Sequence, residues 1–298
     1  MRSVSRGPCP RNLDGPQSSG HKERAKAIIY FTAVNPRESP FKFAQYKTEP
    51  VKQQLMRDYR QKCAYCESFI GHVTNPDIDH FRPKSAYRNA SGDDVKPGYY
   101  WLASGWENLF LSCQLCNRPS WQLLADGSRM MVGKGTHFPL VDESKRATVP
   151  GAETDEEPLL LSPDQADVES HLEFREGGVV LPAVIGSGAS VKGLRSIEIY
   201  GLQRAALVSQ REKHLRGVKG AVARYIKERE SFAISPNDSS VRERVREAMQ
   251  EIIEYLCCRN EYLTLTRQYI AKHCSELVPL PKCTATSCID GSCNAPRA

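Results

Sequence analysis

Apolar residues fall at different spacings along this chain of 298 residues, and each change of spacing marks a part of it. Residues 1–22 are rich in Pro, Gly, Ser and Arg and show no period, which predicts an extended arm. Residues 23–34 read as a short helix or strand. After Pro50, Val51, Leu55 and Tyr59 recur four apart with bases on the opposite face, so a helix leads into Cys63. In DIDHFRPK the period drops to two, which predicts a strand over 78–81 that enters a turn at Pro83. An apolar run after Asn108, NLFLSC, reads as the second strand of a hairpin, with a short helix starting near Cys113. Between the strands, residues 91–97 form a polar loop.

The acidic, Pro-containing stretch 141–158 reads as a linker, and HLEFREGGVVLP as a hairpin turning at Gly177-Gly178. From Arg195 the period becomes helical. Leu215, Val218, Val222, Tyr225 and Ile226 line one face, while Arg211, Lys213, Arg216, Lys219, Arg224 and Lys227 supply charge elsewhere. Beyond the Pro236-Asn237-Asp238 break, Val241, Val245, Met249, Ile252, Ile253 and Leu256 make a second stripe. The two stripes are expected to cover each other as an antiparallel pair. The alternative is burial of either stripe on a partner.

Length permits one large or two ordinary domains. The net charge of +6 fits a nucleic-acid partner without demanding one. No run of 18 apolar residues exists and the first residues lack a hydrophobic signal segment, so no membrane span and a cytoplasmic location are expected. GSGAS at 186–190 is not followed by the Lys-Ser or Lys-Thr of a P-loop.

Chemistry concentrates between Cys63 and Asn117. Of the 11 cysteines, Cys63 with Cys66 and Cys113 with Cys116 form CxxC pairs, the spacing that presents two thiolates to one ion. A Zn2+ ion on all four would staple the base of the 46 residues between the pairs. Redox CxxC pairs and buried thiols are the alternatives, as is His72 in place of one ligand. Four cysteines in metal spacing argue for a reducing compartment. Cys283, Cys288 and Cys293 lie five apart in a tail read as disordered, with a metal role alongside Cys257, Cys258 or Cys274 as the other option.

Inside the staple, Asp79 and His80 are expected on opposite faces of the strand, the carboxylate toward a hard cation and the imidazole toward a substrate. Asn108 and Asn117 stand nine apart. Arg82, Lys84, Arg88 and Arg118 cluster in sequence around these residues; singly each reads first as a solvated surface charge, and as a cluster they suit contacts to phosphate. His137 is a further candidate ligand or substrate contact, and packing of the Phe-Pro-Leu run beside it is the competing account. The bland alternative for the whole set is a surface Asp-His pair and an Asn cap.

Asp79-His80, Asn108 and Asn117 between paired CxxC motifs resemble the HNH endonuclease superfamily. CAYCE, DIDHFRPK, WLASGWENLFLSCQLCNR, HFPL, EEPLLLSP, HLEF and RSIEIYGLQRAALVSQR resemble its PtuB-type branch, over roughly residues 1–215. Pro119-Ser120-Trp121 and Gln203 depart from the usual pattern of that branch, which bears on local loop contacts.

The resemblance implies an α+β fold: a ββα-metal (His-Me finger) module over 50–140 on a four-cysteine zinc staple, preceded by an arm at 1–49. A linker and hairpin would follow at 141–194, a helical region at 195–275 and the Cys-containing tail at 276–298. It implies an endonuclease in which Asp79 and Asn117 hold Mg2+ or Mn2+, His80 is the general base and Asn108 fixes the loop carrying His80. It also implies an anti-phage effector of Septu or retron systems, acting on DNA with a PtuA-like ATPase, and in retron systems with a reverse transcriptase and its non-coding nucleic acid. RNA such as tRNA as the substrate, or a silent zinc-stapled nucleic-acid-binding module, are the other readings.

Overall fold

A computed structural model describes residues 1–33, 40–71, 74–89 and 91–278. His72 and the three tail cysteines lie outside these. Helix α1 (Ser19–Thr32) begins inside the segment expected to be an arm, because the Ser18 side chain accepts the His21 N–H and so caps it. The residues before it are laid onto the body. The Arg6 guanidinium sits 4.2 Å over the Trp106 ring and donates to the Trp106 carbonyl, and Val4 N–H bonds the Pro163 carbonyl.

Helix α2 (Glu49–Asp58) starts with Pro50 in its first turn, where a missing N–H costs nothing, and buries Val51 and Leu55 as their spacing predicts. It feeds the first CxxC turn. Strand β1 (Asp77–His80) pairs antiparallel with β4 (Leu109–Ser112), and Asp79 lies opposite Phe110. Between them the insertion carries the small ladder β2 (Tyr87–Arg88) with β3 (Asp94–Val95). The four-residue helix α3 (Gln114–Asn117) follows β4 directly and contains the last cysteine of the second CxxC.

A further hairpin, β5 (Ser120–Leu123) with β6 (Arg129–Val132), leaves Trp121, Leu123, Met130 and Met131 exposed. Gly133 after it has φ +119°, and a Cβ there would meet the Arg118 carbonyl at 2.3 Å. Only glycine lets this strand end come so close to the end of α3.

Residues 141–158, expected as a linker, are built into the body instead. Glu156 is buried and binds the Tyr99 hydroxyl, the Ala147 N–H and Arg82, so this chain segment closes over the insertion. The hairpin at Gly177-Gly178 is present as β7 (Leu172–Phe174) with β8 (Val180–Pro182), followed by the small ladder β9 (Val184–Ile185) with β10 (Gly188–Ala189).

Helix α4 (Val191–Ile199) is capped by Ser190, which sets its start before Arg195. Helices α5 (Ala205–Ile234) and α6 (Ser239–Tyr255) pack against each other, and α6 is capped by Asp238. Leu215, Val218, Val222, Tyr225, Val241 and Ile252 are buried within the molecule. Arg211 corrects the expected charged face: it is fully buried, donates to the Leu202 carbonyl and lies 5.1 Å from the Phe174 ring. Helix α7 (Leu263–His273) completes the helical part. Among the described residues, no helix is long and apolar enough to cross a membrane.

One apolar core runs from α2 through the β1–β4 pair to α5, α6 and α7. The site described next therefore rests on a continuous support.

Candidate functional site

The four CxxC sulfurs lie within 4.8 Å of one another, and those of Cys66 and Cys113 are 3.9 Å apart. That is too far for a disulfide. It matches tetrahedral zinc, whose bonds of ~2.3 Å set sulfurs about 3.8 Å apart. The first pair sits on a tight turn closed by the Lys62–Phe69 bridge, with Glu67 in a left-handed conformation, and the Ala64 N–H bonds Leu111 of β4. The second pair runs from the end of β4 into α3. Arg204 presses a guanidinium nitrogen to 3.5 Å from the Cys116 sulfur, a fixed positive charge beside the thiolates. Among the described residues this is the sole group of three or more metal-capable side chains gathered so tightly, and Cys257, Cys258 and Cys274 form no other.

Above this base lies a cavity of about 510 Å³ lined by Asp77, Asp79, His80 and Asn117, with Lys47, Lys52, Lys84 and Arg118 around it. Asp79 and His80, adjacent on β1 and expected on opposite faces, have different hydrogen-bond partners yet both line this one cavity. The Asp79 carboxylate accepts from the Tyr65 hydroxyl at 2.5 Å and from the Lys134 ammonium at 3.2 Å. Lys134 is wholly buried and also donates to the His80 carbonyl at 2.6 Å, so one cation fixes both residues. Nothing in the spacing of the motifs singles out Lys134. It arrives because the Lys134 and Gly135 N–H groups bond the Cys116 and Asn117 carbonyls at the end of α3.

The His80 ring packs edge-on to Tyr46 at 4.5 Å, and its Nε2 is 2.9 Å from the Ala103 carbonyl. A carbonyl only accepts, so Nε2 carries the proton and Nδ1 keeps its lone pair in the neutral ring. Burial, with Lys84 nearby, holds His80 well below the usual histidine range, which keeps the ring neutral. Asn108 does not enter the cavity lining. Its Oδ1 accepts the Arg82 N–H, and its Nδ2 donates to the Arg82 and Leu102 carbonyls, clamping the backbone just beyond His80.

Asn117 lines the cavity and donates from Nδ2 to Asp77 at 3.0 Å. Asp77 also takes two bonds from Arg118, at 2.9 and 2.7 Å.

The four cations expected near phosphate separate into two groups. Lys84 and Arg118 line the cavity. Arg82 and Arg88 do not: Arg82 is committed to buried Glu156 at 2.7 Å, and Arg88 pairs with Asp94 at 3.2 Å. Acidic residues of the insertion and of the segment closing over it claim them. Lys47, just ahead of α2, and Lys52 within it also line the cavity, and their arrival there leaves no local sequence signal. His137 is half-buried and absent from the cavity lining.

No family model matches the chain. Its sequence is 39% identical over 215 residues to the Septu protein PtuB of Bacillus mycoides (strain KBAB4), covering 71% of this chain and 65% of that protein. The chain thus spans less than two thirds of the length of that curated relative. Over the shared length, the chain belongs to the PtuB-type proteins.

Proposed function

We propose that this chain is a metal-dependent endonuclease of the HNH, ββα-metal type that hydrolyses phosphodiester bonds of DNA. The observation that carries the reading is the cavity itself, whose lining brings His80, with its Nε2 tied to the Ala103 carbonyl, together with Asp79, Asn117 and several lysines. The sulfur set suits Zn2+, and the carboxylate and amide oxygens suit Mg2+ or Mn2+, so two unlike ions would occupy two unlike sites. Asp79 and Asn117 would hold the magnesium, which when bound supplies Lewis-acid stabilisation of charge on the phosphate and the leaving oxygen.

His80 Nδ1 takes the proton from the attacking water, while Nε2 stays tied to Ala103 and keeps the ring in the tautomer that can do so. Asn108 fixes the Arg82 peptide and with it the backbone beyond the base. Lys47, Lys52 and Lys84 set a positive rim for the phosphates. The likeness to a Septu protein PtuB supports a role as an anti-phage defence effector acting with a PtuA-like ATPase.

Purified protein with magnesium, with and without that ATPase, should cut plasmid DNA, and His80→Ala should lower the rate by about a hundredfold or more. Cutting of bulk RNA alone would move the substrate to RNA. No cutting of either by the unaltered protein under both conditions would make the chain a binding module.

A further inference from the structure

We infer that Asp77 is a further carboxylate ligand of the divalent cation assigned above to Asp79 and Asn117, and that Arg118 stands in its place until the ion arrives. The inference rests on the nuclease reading and extends it by one residue. Three observations carry it.

Both oxygens of Asp79 are already engaged, by the buried Tyr65 hydroxyl and the buried Lys134 ammonium. Such donors, wholly out of water, stay in place, so Asp79 offers an ion only the second lone pair of an oxygen and a further carboxylate would complete the site. Asp77 lies two residues earlier on the same strand, lines the same cavity and keeps 13% of its side chain exposed. Its main partner, Arg118, is a side chain 63% exposed, and an ion pair so open to water contributes little and yields readily.

The second observation is a distance. The Asn117 amide nitrogen is 3.0 Å from Asp77 Oδ2. Neighbouring ligands of octahedral magnesium, at bonds of ~2.1 Å, are about 3.0 Å apart. Turning the Asn117 amide over puts Oδ1 where Nδ2 now is, and the pair becomes one edge of such a site without any backbone movement.

Third, Arg118 places its positive charge on the carboxylate oxygens that a cation would take, bonding Oδ2 through Nε and Oδ1 through Nη2. Exchange of Arg118 for the ion would free a guanidinium at the cavity rim, where its planar fork suits a phosphate. Entry of the metal and capture of the nucleic acid backbone are then linked through one side chain.

The test is a titration of the zinc-loaded full chain with Mn2+, the free ion being counted by electron paramagnetic resonance with no nucleic acid present. Unaltered protein, Asp77→Asn, Asp79→Asn and Arg118→Gln are compared, each first checked for zinc content and unfolding temperature. We expect Asp77→Asn to bind Mn2+ about tenfold more weakly or worse, and Arg118→Gln to bind at least as tightly as the unaltered protein. Binding by Asp77→Asn equal to the unaltered protein, with Asp79→Asn impaired, would overturn the role of Asp77 and leave the nuclease reading standing. Loss in Arg118→Gln matching that in Asp77→Asn would overturn the ligand assignment and reduce Asp77 to an anchor for Arg118. Absence of Mn2+ binding by the unaltered protein would remove both.

Discussion

Lys134 is the residue on which the cavity depends most directly. Its ammonium sits between the Asp79 carboxylate and the His80 carbonyl, with no exposure to water. Removing the charge while keeping the bulk, as in Lys134→Met, leaves Asp79 buried with the Tyr65 hydroxyl alone. Breaking a buried pair in this way costs about 3 kcal/mol or more, which a urea titration of the variant should register. That His80, Asp79 and Asn117 share one cavity was legible in the sequence because their spacing in the motif is a local property. Lys134, Lys47 and Lys52 were not, since each reaches the cavity through a tertiary contact. The commitment of Arg82 to Glu156 escaped for the same reason, as the two lie 74 positions apart.

At the scale of elements, the four-cysteine base, which could hold a zinc ion, joins the first CxxC turn to the end of β4 and the start of α3. The β1–β4 pair has only four residues a side and α3 a single turn, too little to persist alone. Binding of a structural zinc is worth about 10–16 kcal/mol, as much as the whole stability of an ordinary domain at about 5–15 kcal/mol. Cys116→Ser, or prolonged chelation, should therefore drop zinc from one per chain to none and abolish the cooperative thermal transition of the β1–β4 region. Retention of that transition in the metal-free protein, followed by calorimetry, would show the sulfurs to be ordinary buried thiols. The paired stripes of α5 and α6 were legible as helical periods, whereas the ordered stretch at 141–158 was not, because Glu156 draws its order from distant Tyr99 and Arg82.

At the scale of the whole molecule, the long helices are held to one another by polar contacts as well as apolar ones. His214 on α5 bonds the Thr266 hydroxyl on α7 and packs against Tyr255 and Tyr262. Burial, opposed by Glu67 and reinforced by Lys62, holds its imidazole below the usual histidine value. The unfolded chain then binds a proton that the folded chain refuses as pH falls through about 6.5, so folding stability drops on the acid side. Replacing His214 with Gln removes that term, and the unfolding temperature of His214→Gln should fall less between pH 7 and pH 5.5 than that of the unaltered protein.

The turn between α6 and α7, with the start of α7, touches the first CxxC knuckle through several polar groups. Lys62 donates to the Cys258 and Asn260 carbonyls, the Phe69 N–H bonds Glu261, and Thr264 bonds Glu67. On the far side Arg204 grips the Cys116 sulfur from the turn ahead of α5. The four-cysteine base is thus clasped by the ends of the long helices at both of its CxxC pairs, as an axle is by its bearings. Any load that tilts those helices bears on the thiolates, and through α3 on Asn117, with no slack segment between to absorb it.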